Sequence, residues 1–331
     1  MGEKRFTTIG SIVLSCNTGL GILAKSFYDN GIIDKVIVAN HSRYPSNKGW
    51  YKKKDICLNL LSFLNEVDVL LCFEVPNPEN NIDWGIVKLF KGAGKKVVLM
   101  PMYESTPFPL PKEVMPDMWL FPSELDRDFY NERGIEGHLV RVPVEVKPKH
   151  RTTIKRFIHN AGSKGSQHLD RNGTELLIKA LPKINPEVEI VIRSRDTQFK
   201  IDDPRVKLEV GDVAYDDLWE EGDAFIFVES YNGLSLPLQE AYAAGMFVIA
   251  GDRYPINTWL PKEGLVEPDS VKDIRYVFDI IQKADYNSNN LAEKINYWYG
   301  KDISDYSTKG IEWGKKNSWA NLKKVYTDLL R

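Results

Sequence analysis

Short apolar segments alternate with longer segments of helical periodicity along this chain, and the alternation stops once and then starts again. Twelve β-branched segments are predicted to be buried strands: 8–16, 35–40, 67–74, 95–101, 117–122, 138–144, 156–162, 188–194, 206–211, 223–229, 246–251 and 264–268. Strands that alternate with helices form a parallel sheet with helices on both faces. The sequence therefore predicts an α/β protein with two doubly wound, Rossmann-like domains in tandem.

A break separates the two runs of strands. The segment 144–156 is basic, contains proline and has no periodicity, so it is predicted to be a linker. The chain of 331 residues is long enough for two domains of ordinary size. We expect a first domain at 1–148 and a second at 149–310, followed by an amphipathic C-terminal helix at 311–331. Within the second domain, helices are predicted at 173–182, 214–222 and 236–244.

Composition excludes several classes of protein. A hydrophobic fraction of 43% is typical of a soluble globular chain, and a net charge of −2 gives no general attraction to nucleic acid or anionic membranes. Cys16, Cys57 and Cys72 lie in apolar segments, which favours buried thiols in a reducing compartment. The sequence has no signal-peptide pattern and no integral membrane segment, so a cytoplasmic protein is expected.

The segment 230–251, SYNGLSLPLQEAYAAGMFVIAG, contains the strongest functional signal. A polar loop connects the predicted strand 223–229 to a helix that begins at Leu236. The start of a helix presents unpaired backbone N–H groups and a positive dipole end, which together favour phosphate. Gly233 allows a ligand close to the backbone, and Glu240 is placed to accept hydrogen bonds from a ribose diol. This arrangement suits a nucleoside diphosphate.

This segment resembles the donor site of family 4 glycosyltransferases of the two-domain GT-B fold, whose usual form is E-G-F-G-L-P-x-x-E-A-M-A-x-G-x-P-V-I-A. The positions that match in register are Gly233, Leu236, Pro237, Glu240, Ala241, Ala243, Gly245, Val248, Ile249 and Ala250. Three further segments resemble the family in its own order: DMWLFPSE, NAGSKGSQHLDRNGTELLIKAL and NSWANLKKVYTDLL. The resemblance implies a GT-B fold in which the helix at 311–331 packs back on the first domain.

By this resemblance, Glu240 binds the ribose of the donor and Asn232 occupies the place of a glutamate that contacts the sugar. An amide can still donate and accept hydrogen bonds, but it lacks the charge that favours an oxocarbenium-like transition state. A different donor sugar or slower chemistry is therefore a hypothesis. The predicted donor-binding residues of the second domain are Arg193, Gly233, Leu234, Ser235, Leu236 and Glu240.

The phosphate loop departs from the family pattern, because neither family position for a basic residue is basic here. Lys164 and Arg171 lie one residue away from those positions and are the candidates for neutralising the diphosphate leaving group. Arg193 and Arg195 are the alternative candidates for this role. Asn232, Lys164 and Arg171 are thus the predicted catalytic residues.

A second glycine-rich turn follows the first strand and contains Gly19, Leu20 and Gly21. In GT-B enzymes this turn faces the donor phosphates and sugar, so these residues are also predicted to bind the donor. The same G-x-G pattern occurs in dinucleotide sites, which place an acid at the end of the next strand. No acid stands there, although Arg43 would suit the 2′-phosphate of NADP.

The acceptor side offers fewer signals. The segment 35–54 has six Lys or Arg residues, no acid and three aromatic residues, which would suit a nucleic-acid strand, an anionic glycan or a lipid head group, as well as a solvated loop. Glu74, Tyr103 and Glu104 follow predicted strands and are the candidates for holding the acceptor hydroxyl. His41 and His159 are alternatives.

No metal site is predicted. Asp126 and Asp128 have the spacing of a D-x-D motif but fall on a predicted helix, where they are expected to form a solvated face. The resulting prediction is a metal-independent, retaining glycosyltransferase that needs no cofactor and uses a nucleotide sugar, UDP-sugar being the expected donor. The acceptor is a glycan, a lipid or a modified DNA base. An NADP-dependent oxidoreductase, a non-catalytic nucleotide-sugar binding protein and an epimerase of the same fold stay open.

Overall fold

The computed structural model describes residues 7–79, 83–163, 169–196 and 199–331. The chain divides into two compact units. The first combines the residues up to Val142 with Val277–Asp279 and Trp319–Arg331, and the second combines Pro143–Tyr276 with Ile280–Ser318. Among the described residues, no helix combines the length and the apolar character needed to cross a bilayer.

The first unit is built on a parallel six-stranded sheet. Its strands are β1 (Ile9–Leu14), β2 (Lys35–Ala39), β3 (Val69–Phe73), β4 (Lys96–Met100), β5 (Met118–Phe121) and β6 (His138–Leu139), and they lie in the order β2-β1-β3-β4-β5-β6. Its helices are α1 (Gly19–Asp29), α2 (Leu60–Glu66), α3 (Gly85–Gly92) and α4 (Glu124–Asn131). The sheet is a core layer because every residue of β1 and β3 is buried.

The second unit repeats this plan. Its strands are β7 (Arg156–Gly162), β8 (Glu189–Ser194), β9 (Val206–Val210), β10 (Ala224–Phe227), β11 (Phe247–Gly251) and β12 (Leu265–Val266), in the order β12-β11-β10-β7-β8-β9. A separate hairpin, β13 (Ser270–Tyr276) and β14 (Asp279–Asp285), follows. The helices of the second unit are α5 (Thr174–Ala180), α6 (Leu236–Ala243), α7 (Ser288–Trp298) and α8 (Ser304–Lys316).

All twelve predicted strands are confirmed, and so are the helices predicted at 173–182 and 236–244. The helix predicted at 214–222 is wrong, because this segment contains only a single 3₁₀ turn, Tyr215–Asp217, followed by turns. The segment 311–331 is not one helix either. α8 ends at Lys316, and a new helix, α9 (Trp319–Leu330), belongs to the first unit.

Helix α9 completes the core of the first unit through aromatic packing. The rings of Trp319 and Tyr326 meet the ring of Phe27 of α1 edge to face, with centroids 4.9 and 4.8 Å away. All three side chains are buried. The Trp319 indole also donates a hydrogen bond to the Ser26 hydroxyl at 2.7 Å. Residues near both ends of the sequence therefore share one core.

Helix α6 packs unusually closely on α8, and two glycines of α8 make this possible. A Cβ atom at Gly310 would lie 2.2 Å from the Tyr242 carbonyl oxygen, and one at Gly314 would lie 2.6 Å from the Ala243 Cβ. Both distances are far shorter than a van der Waals contact, so only glycine fits. The close contact fixes the position of α6, the helix that contains Glu240.

The three cysteines are buried free thiols, as predicted.

Candidate functional site

The predicted donor segment forms a strand, a loop and a helix at the carboxyl end of β10. The loop ends at Ser235, whose backbone has the left-handed values φ 49° and ψ 57° immediately before α6. A non-glycine residue rarely adopts this conformation, and such strain is concentrated at functional sites. The first turn of α6 follows directly and contains Pro237, which has no N–H group. The Leu238 N–H donates to the Ser235 carbonyl oxygen at 3.2 Å, so the Leu236 N–H is the group placed to meet a ligand at this helix start.

Glu240 lies on the next turn of α6 and is 8% exposed. The Tyr215 hydroxyl donates a hydrogen bond to its Oε1 at 2.7 Å. Burial raises the pKa of Glu240 to about 7, and the hydrogen bond from Tyr215 opposes this shift. The carboxyl group is therefore close to half protonated at neutral pH in the free protein. Its predicted contact with a ribose stays a prediction.

A second buried carboxylate, Glu229, lies beneath the loop. It is 2% exposed and accepts hydrogen bonds from the Asn232 side-chain amide, at 2.7 Å, and from the Ser235 hydroxyl. Arg253 approaches it with 3.9 Å between Nη2 and Oε2, and also donates to the Asn232 carbonyl oxygen. Burial raises the pKa of Glu229, and Arg253 opposes this shift. Glu229 therefore links Asn232 and Ser235 of the loop to the guanidinium of Arg253.

The Asn232 side chain organises the loop from within. While its Nδ2 donates to Glu229, its Oδ1 accepts from the backbone N–H groups of Leu234 and Ser235, both at 3.2 Å. Side-chain oxygens of Asn commonly stabilise tight turns in this way. One Nδ2 hydrogen is left for a ligand, because an amide nitrogen carries two. The sugar contact predicted for Asn232 stays a prediction.

The predicted basic residues have different surroundings. Arg171 lies beside the loop: its carbonyl oxygen accepts from the Ser230 N–H at 2.9 Å, and its guanidinium is 5.3 Å from the centre of the Tyr231 ring. Arg193 instead bonds Glu209 at 3.0 Å and the Leu218 carbonyl at 2.6 Å. Its guanidinium is thus held by the protein itself.

Lys164 lies outside the described residues. Arg195 pairs with Asp212, with 2.8 Å between Nε and Oδ1.

Glu229 and Arg253 were missed by sequence reasoning, although one signal was available. Both residues follow neighbouring strands, β10 and β11, which pair in parallel from Ala224 and Phe247 onward. The residues after two adjacent parallel strands meet at the same edge of the sheet. The register of those strands therefore brings Arg253 next to the loop.

The glycine-rich turn of the first unit connects β1 to α1. Thr18 caps α1, and its hydroxyl accepts a hydrogen bond from the Gly21 N–H at 3.2 Å. A Cβ atom at Gly21 would lie 2.1 Å from the Cys16 carbonyl oxygen, whereas one at Gly19 would meet nothing within 4 Å. Gly21 is thus required by backbone packing alone. Donor binding by Gly19, Leu20 and Gly21 stays a prediction.

The candidate acceptor residues lie at the carboxyl ends of β3 and β4. Glu74 has a left-handed φ of 62°, and its N–H donates to the Met100 carbonyl at 2.8 Å. Tyr103 and Glu104 are both buried, with exposed fractions of 4% and 5%. The Tyr103 N–H donates to Asp126 at 2.8 Å.

The prediction of a solvated face on α4 was wrong for Asp126, which is fully buried. It accepts hydrogen bonds from the Tyr103 N–H and the Ser123 hydroxyl. Burial raises the pKa of Asp126 to about 8, and the neighbouring Glu104 carboxylate raises it further. Among the side chains that the structure describes, no group of three or more His, Cys, Asp or Glu residues is arranged to hold a metal ion.

His159 has a structural role rather than one in acceptor binding. It is fully buried, and its Nδ1 is 2.9 Å from the Ile226 carbonyl oxygen, which can only accept. Nδ1 therefore donates, and Nε2 accepts from the Thr174 hydroxyl at 2.8 Å. Burial lowers the pKa of His159 to about 4, so the ring is neutral.

Comparison with known proteins shows likeness in structure. No family model matches the sequence, and no curated protein matches it. HepE from Anabaena, solved in complex with UDP-glucose, matches with a TM-score of 0.68 at 11% identity, covering 98% of this chain and 99% of that chain. A glycosyltransferase from Rickettsia africae matches with a TM-score of 0.62 at 12% identity, covering 98% and 99%.

The lipopolysaccharide outer core galactosyltransferase WaaB matches with a TM-score of 0.58 at 15% identity, covering 97% of each chain. These neighbours are GT-B proteins with two Rossmann-like domains. The chain therefore has the GT-B fold, and the predicted fold class is confirmed.

Proposed function

We propose that this protein transfers a sugar from a nucleoside diphosphate sugar to an acceptor hydroxyl. The observation that carries the proposal is the buried Glu240 one turn inside α6, behind a strained loop that ends at the start of that helix. This is the geometry that a diphosphate followed by a ribose requires. The GT-B fold and the matching donor motif support the same activity.

The donor in this proposal is a UDP-sugar. HepE, which shares the fold, was solved with UDP-glucose, and this supports UDP as the nucleotide. Ionised Glu240 would accept hydrogen bonds from the ribose hydroxyls, and the Leu236 N–H at the positive end of the α6 dipole would contact the diphosphate. Gly233 and Leu234, which precede Ser235, would lie against the sugar phosphate.

The diphosphate gains charge as it leaves, and cations must balance that charge. Arg171 and Arg253 both contact residues of the loop, and Lys164 completes the proposed set. Arg253 is held against Glu229, which keeps its guanidinium in place without any ligand. We include Arg253 in the donor site in place of Arg193 because its guanidinium contacts Asn232 of the loop, whereas that of Arg193 bonds Glu209 and the Leu218 carbonyl, which lie outside the loop.

The proposed reaction retains the anomeric configuration and uses no metal. The bond between the anomeric carbon and the diphosphate oxygen breaks, and a bond to the acceptor oxygen forms on the same face. The acceptor proton passes to the departing diphosphate, so no separate base is required. Glu74, Tyr103 and Glu104 would orient the acceptor, which is a glycan, a lipid or a modified DNA base.

A second function is binding of a nucleotide sugar without turnover. Two observations favour it: the Asn232 amide is engaged inside the loop, and Arg193 is engaged by Glu209. Neither residue is then fully available to stabilise a transition state. Such a protein would bind the donor and form no product with any acceptor.

The first test is a thermal-shift series with UDP, GDP, ADP, NADP and common sugar conjugates of the three nucleotides. A ligand at 100 times its Kd should stabilise the protein by about 2.7 kcal/mol. We expect UDP and one UDP-sugar to stabilise the wild type, and Glu240→Gln to lose this response. The matched control is Glu187→Gln, an exposed glutamate before β8, which should respond as the wild type does.

A response to NADP without a response to UDP would overturn the proposal. Turnover then separates the remaining functions, with release of UDP from the stabilising donor as the readout. Release only with an acceptor supports a transferase, conversion of the donor without acceptor indicates an epimerase, and tight binding with no product indicates a binding protein.

A further inference from the structure

Two leucines of the first unit are exposed to an unusual degree beside three lysines. Leu58 is 92% exposed and Leu61 is 69% exposed. Lys52, Lys53 and Lys54 precede them and are exposed as well. These five residues are called the lysine–leucine surface below. Single exposed apolar side chains are normal, but two beside a cationic cluster call for an explanation.

The backbone keeps both leucines in water. The Cys57 N–H donates to the Val36 carbonyl at 2.8 Å, which pins the segment to β2 and buries Cys57 rather than Leu58. In α2, Phe63 is fully buried and faces the core. Residues two apart on a helix point in nearly opposite directions, so Leu61 must point outward.

The charge of this surface is only partly offset by neighbouring acids. Glu66 pairs with Lys35 at 2.7 Å, whereas Asp55 accepts from the neutral Tyr28 hydroxyl at 2.8 Å and keeps its charge beside Lys54. The segment 52–61 therefore has a net charge of +2. Within the described part of the chain, no ion pair involves Lys52, Lys53 or Lys54.

Other lysines of the same unit are paired. Lys91 lies 3.4 Å from Asp117, and Lys95 lies 3.7 Å from Asp68.

Two of the three aromatic residues in the segment 35–54 already pack against other rings, and the third, Trp50, is half-buried. Tyr51 is 5% exposed and packs against Tyr28, with 5.0 Å between ring centroids. Tyr44 is stacked on His41 at 4.8 Å. Binding of single-stranded nucleic acid depends on exposed aromatic platforms. The side chains that are exposed here are aliphatic and cationic, a combination that suits a lipid surface.

We propose that the lysine–leucine surface docks the protein on a bilayer that contains anionic phospholipid. Leu58 and Leu61 enter the boundary between head groups and acyl chains, while the three lysines contact the anionic head groups. The association is peripheral and reversible, because two leucines and three charges are too few for permanent anchoring. It involves no residue of the candidate donor site, so it stands independently of the proposed function.

The test is co-sedimentation of the whole protein with vesicles, at 0.15 M salt. Vesicles of neutral phosphatidylcholine are compared with vesicles that contain 30% phosphatidylglycerol. We expect binding to the anionic vesicles only, and weaker binding at 0.5 M salt. Removal of one lysine should weaken partitioning about fivefold, and Lys52→Gln, Lys53→Gln and Lys54→Gln together roughly 100-fold.

The leucines are tested by Leu58→Ser with Leu61→Ser, which should weaken partitioning about tenfold or more. The matched control is Lys88→Gln with Leu89→Ser on α3, where Leu89 is 43% exposed and Lys88 is exposed. This control should bind vesicles as the wild type does. Because all these positions are exposed, melting temperatures should not change, and a UDP response, where present, should persist.

Several outcomes would overturn the proposal. They are no binding to anionic vesicles, equal binding to neutral ones, or binding that neither set of variants weakens. Binding of a fluorescent oligonucleotide tests the alternative that this surface recognises nucleic acid. If the lysine variants lose affinity for the oligonucleotide while the leucine variants do not, and vesicles are not bound, the surface recognises nucleic acid instead.

Discussion

At the scale of single residues, Glu240 combines a functional position with an unfavourable environment. An ordinary glutamate has a pKa of 4.5, and burial raises that of Glu240 to about 7. A carboxylate that is ionised in a dry environment destabilises the folded protein, unless a ligand compensates. The ribose diol of a bound donor would provide such compensation. Glu240 is therefore expected to reduce the stability of the free protein.

This cost can be measured through its pH dependence. Between pH 4.5 and 7 the folded protein binds more protons at this site than the unfolded chain does, so the stability contributed by Glu240 falls as pH rises. The loss continues through pH 7, the pKa of the folded state, and is complete about one pH unit above it. Replacement by Gln removes the charge and keeps an acceptor for Tyr215. We expect Glu240→Gln to be more stable than the wild type by about 3 kcal/mol at pH 8, with no gain at pH 4.

Urea unfolding at pH 4, 6 and 8 measures this difference. Glu187→Gln serves as the control, because that side chain is exposed and should give no pH-dependent gain. Equal stability of wild type and Glu240→Gln at pH 8 would contradict the argument. In the same preparations, the Gln variant should have lost its response to UDP.

At the scale of elements, the contact between α6 and α8 determines where Glu240 lies. The approach is possible only because Gly310 and Gly314 present no side chain to α6. A methyl group there would have to displace α6, and Glu240 and Ser235 would move with it. Element packing and the candidate site are thus coupled.

Gly310→Ala tests this coupling. The added Cβ would lie 2.2 Å from the Tyr242 carbonyl oxygen, so we expect a loss of about 1–3 kcal/mol in stability together with weaker UDP binding. Gly92→Ala at the end of α3 is the matched control, since a Cβ there meets nothing within 4 Å. That variant should be as stable as the wild type or up to about 1 kcal/mol more stable. If Gly310→Ala is less stable but binds UDP as the wild type does, the α6–α8 contact does not determine the geometry of the donor site.

The elements that the sequence did not predict were missed for different physical reasons. In the segment 214–222, the carbonyl oxygens of Leu218 and Trp219 accept hydrogen bonds from Arg193 and Arg151 rather than from helix N–H groups. The apolar periodicity continues across residues 317–318, so it cannot reveal that α8 stops there. The hairpin β13–β14 has exposed apolar residues, Val271 and Ile280, on strands that no burial pattern marks.

The same limit applies to the candidate site. Residues within one segment, such as Gly233, Ser235 and Glu240, were predicted because local spacing and a family motif identify them. Glu229 and Arg253 belong to different strands, and only the register of β10 on β11 brings them together. The burial of Asp126 depends on the loop after β4, which supplies the Tyr103 N–H. From helical spacing alone, the Asp126 side chain was predicted to face solvent.

At the scale of the whole molecule, the first unit is closed by a helix from the far end of the sequence. Trp319 is 3% exposed and packs on Phe27, so Trp319→Ala should cost about 3–5 kcal/mol. Hydrogen exchange should show faster exchange in β1 and α1, with β10 and α6 unchanged. Val325→Ala in the same helix is the control, since Val325 is 40% exposed. Equal loss of protection in both units would contradict this assignment.

Because α9 belongs to the first unit, synthesis and folding follow different orders. The 176 residues from 143 to 318 must be translated between Val142 and the helix that completes the first core. At about 5–20 residues per second, that interval lasts about 10–35 s. Throughout it, Phe27 lacks the two aromatic rings that cover it in the finished protein. The unit that leaves the ribosome first is the last to be finished, and chaperones would meet it with an open apolar face.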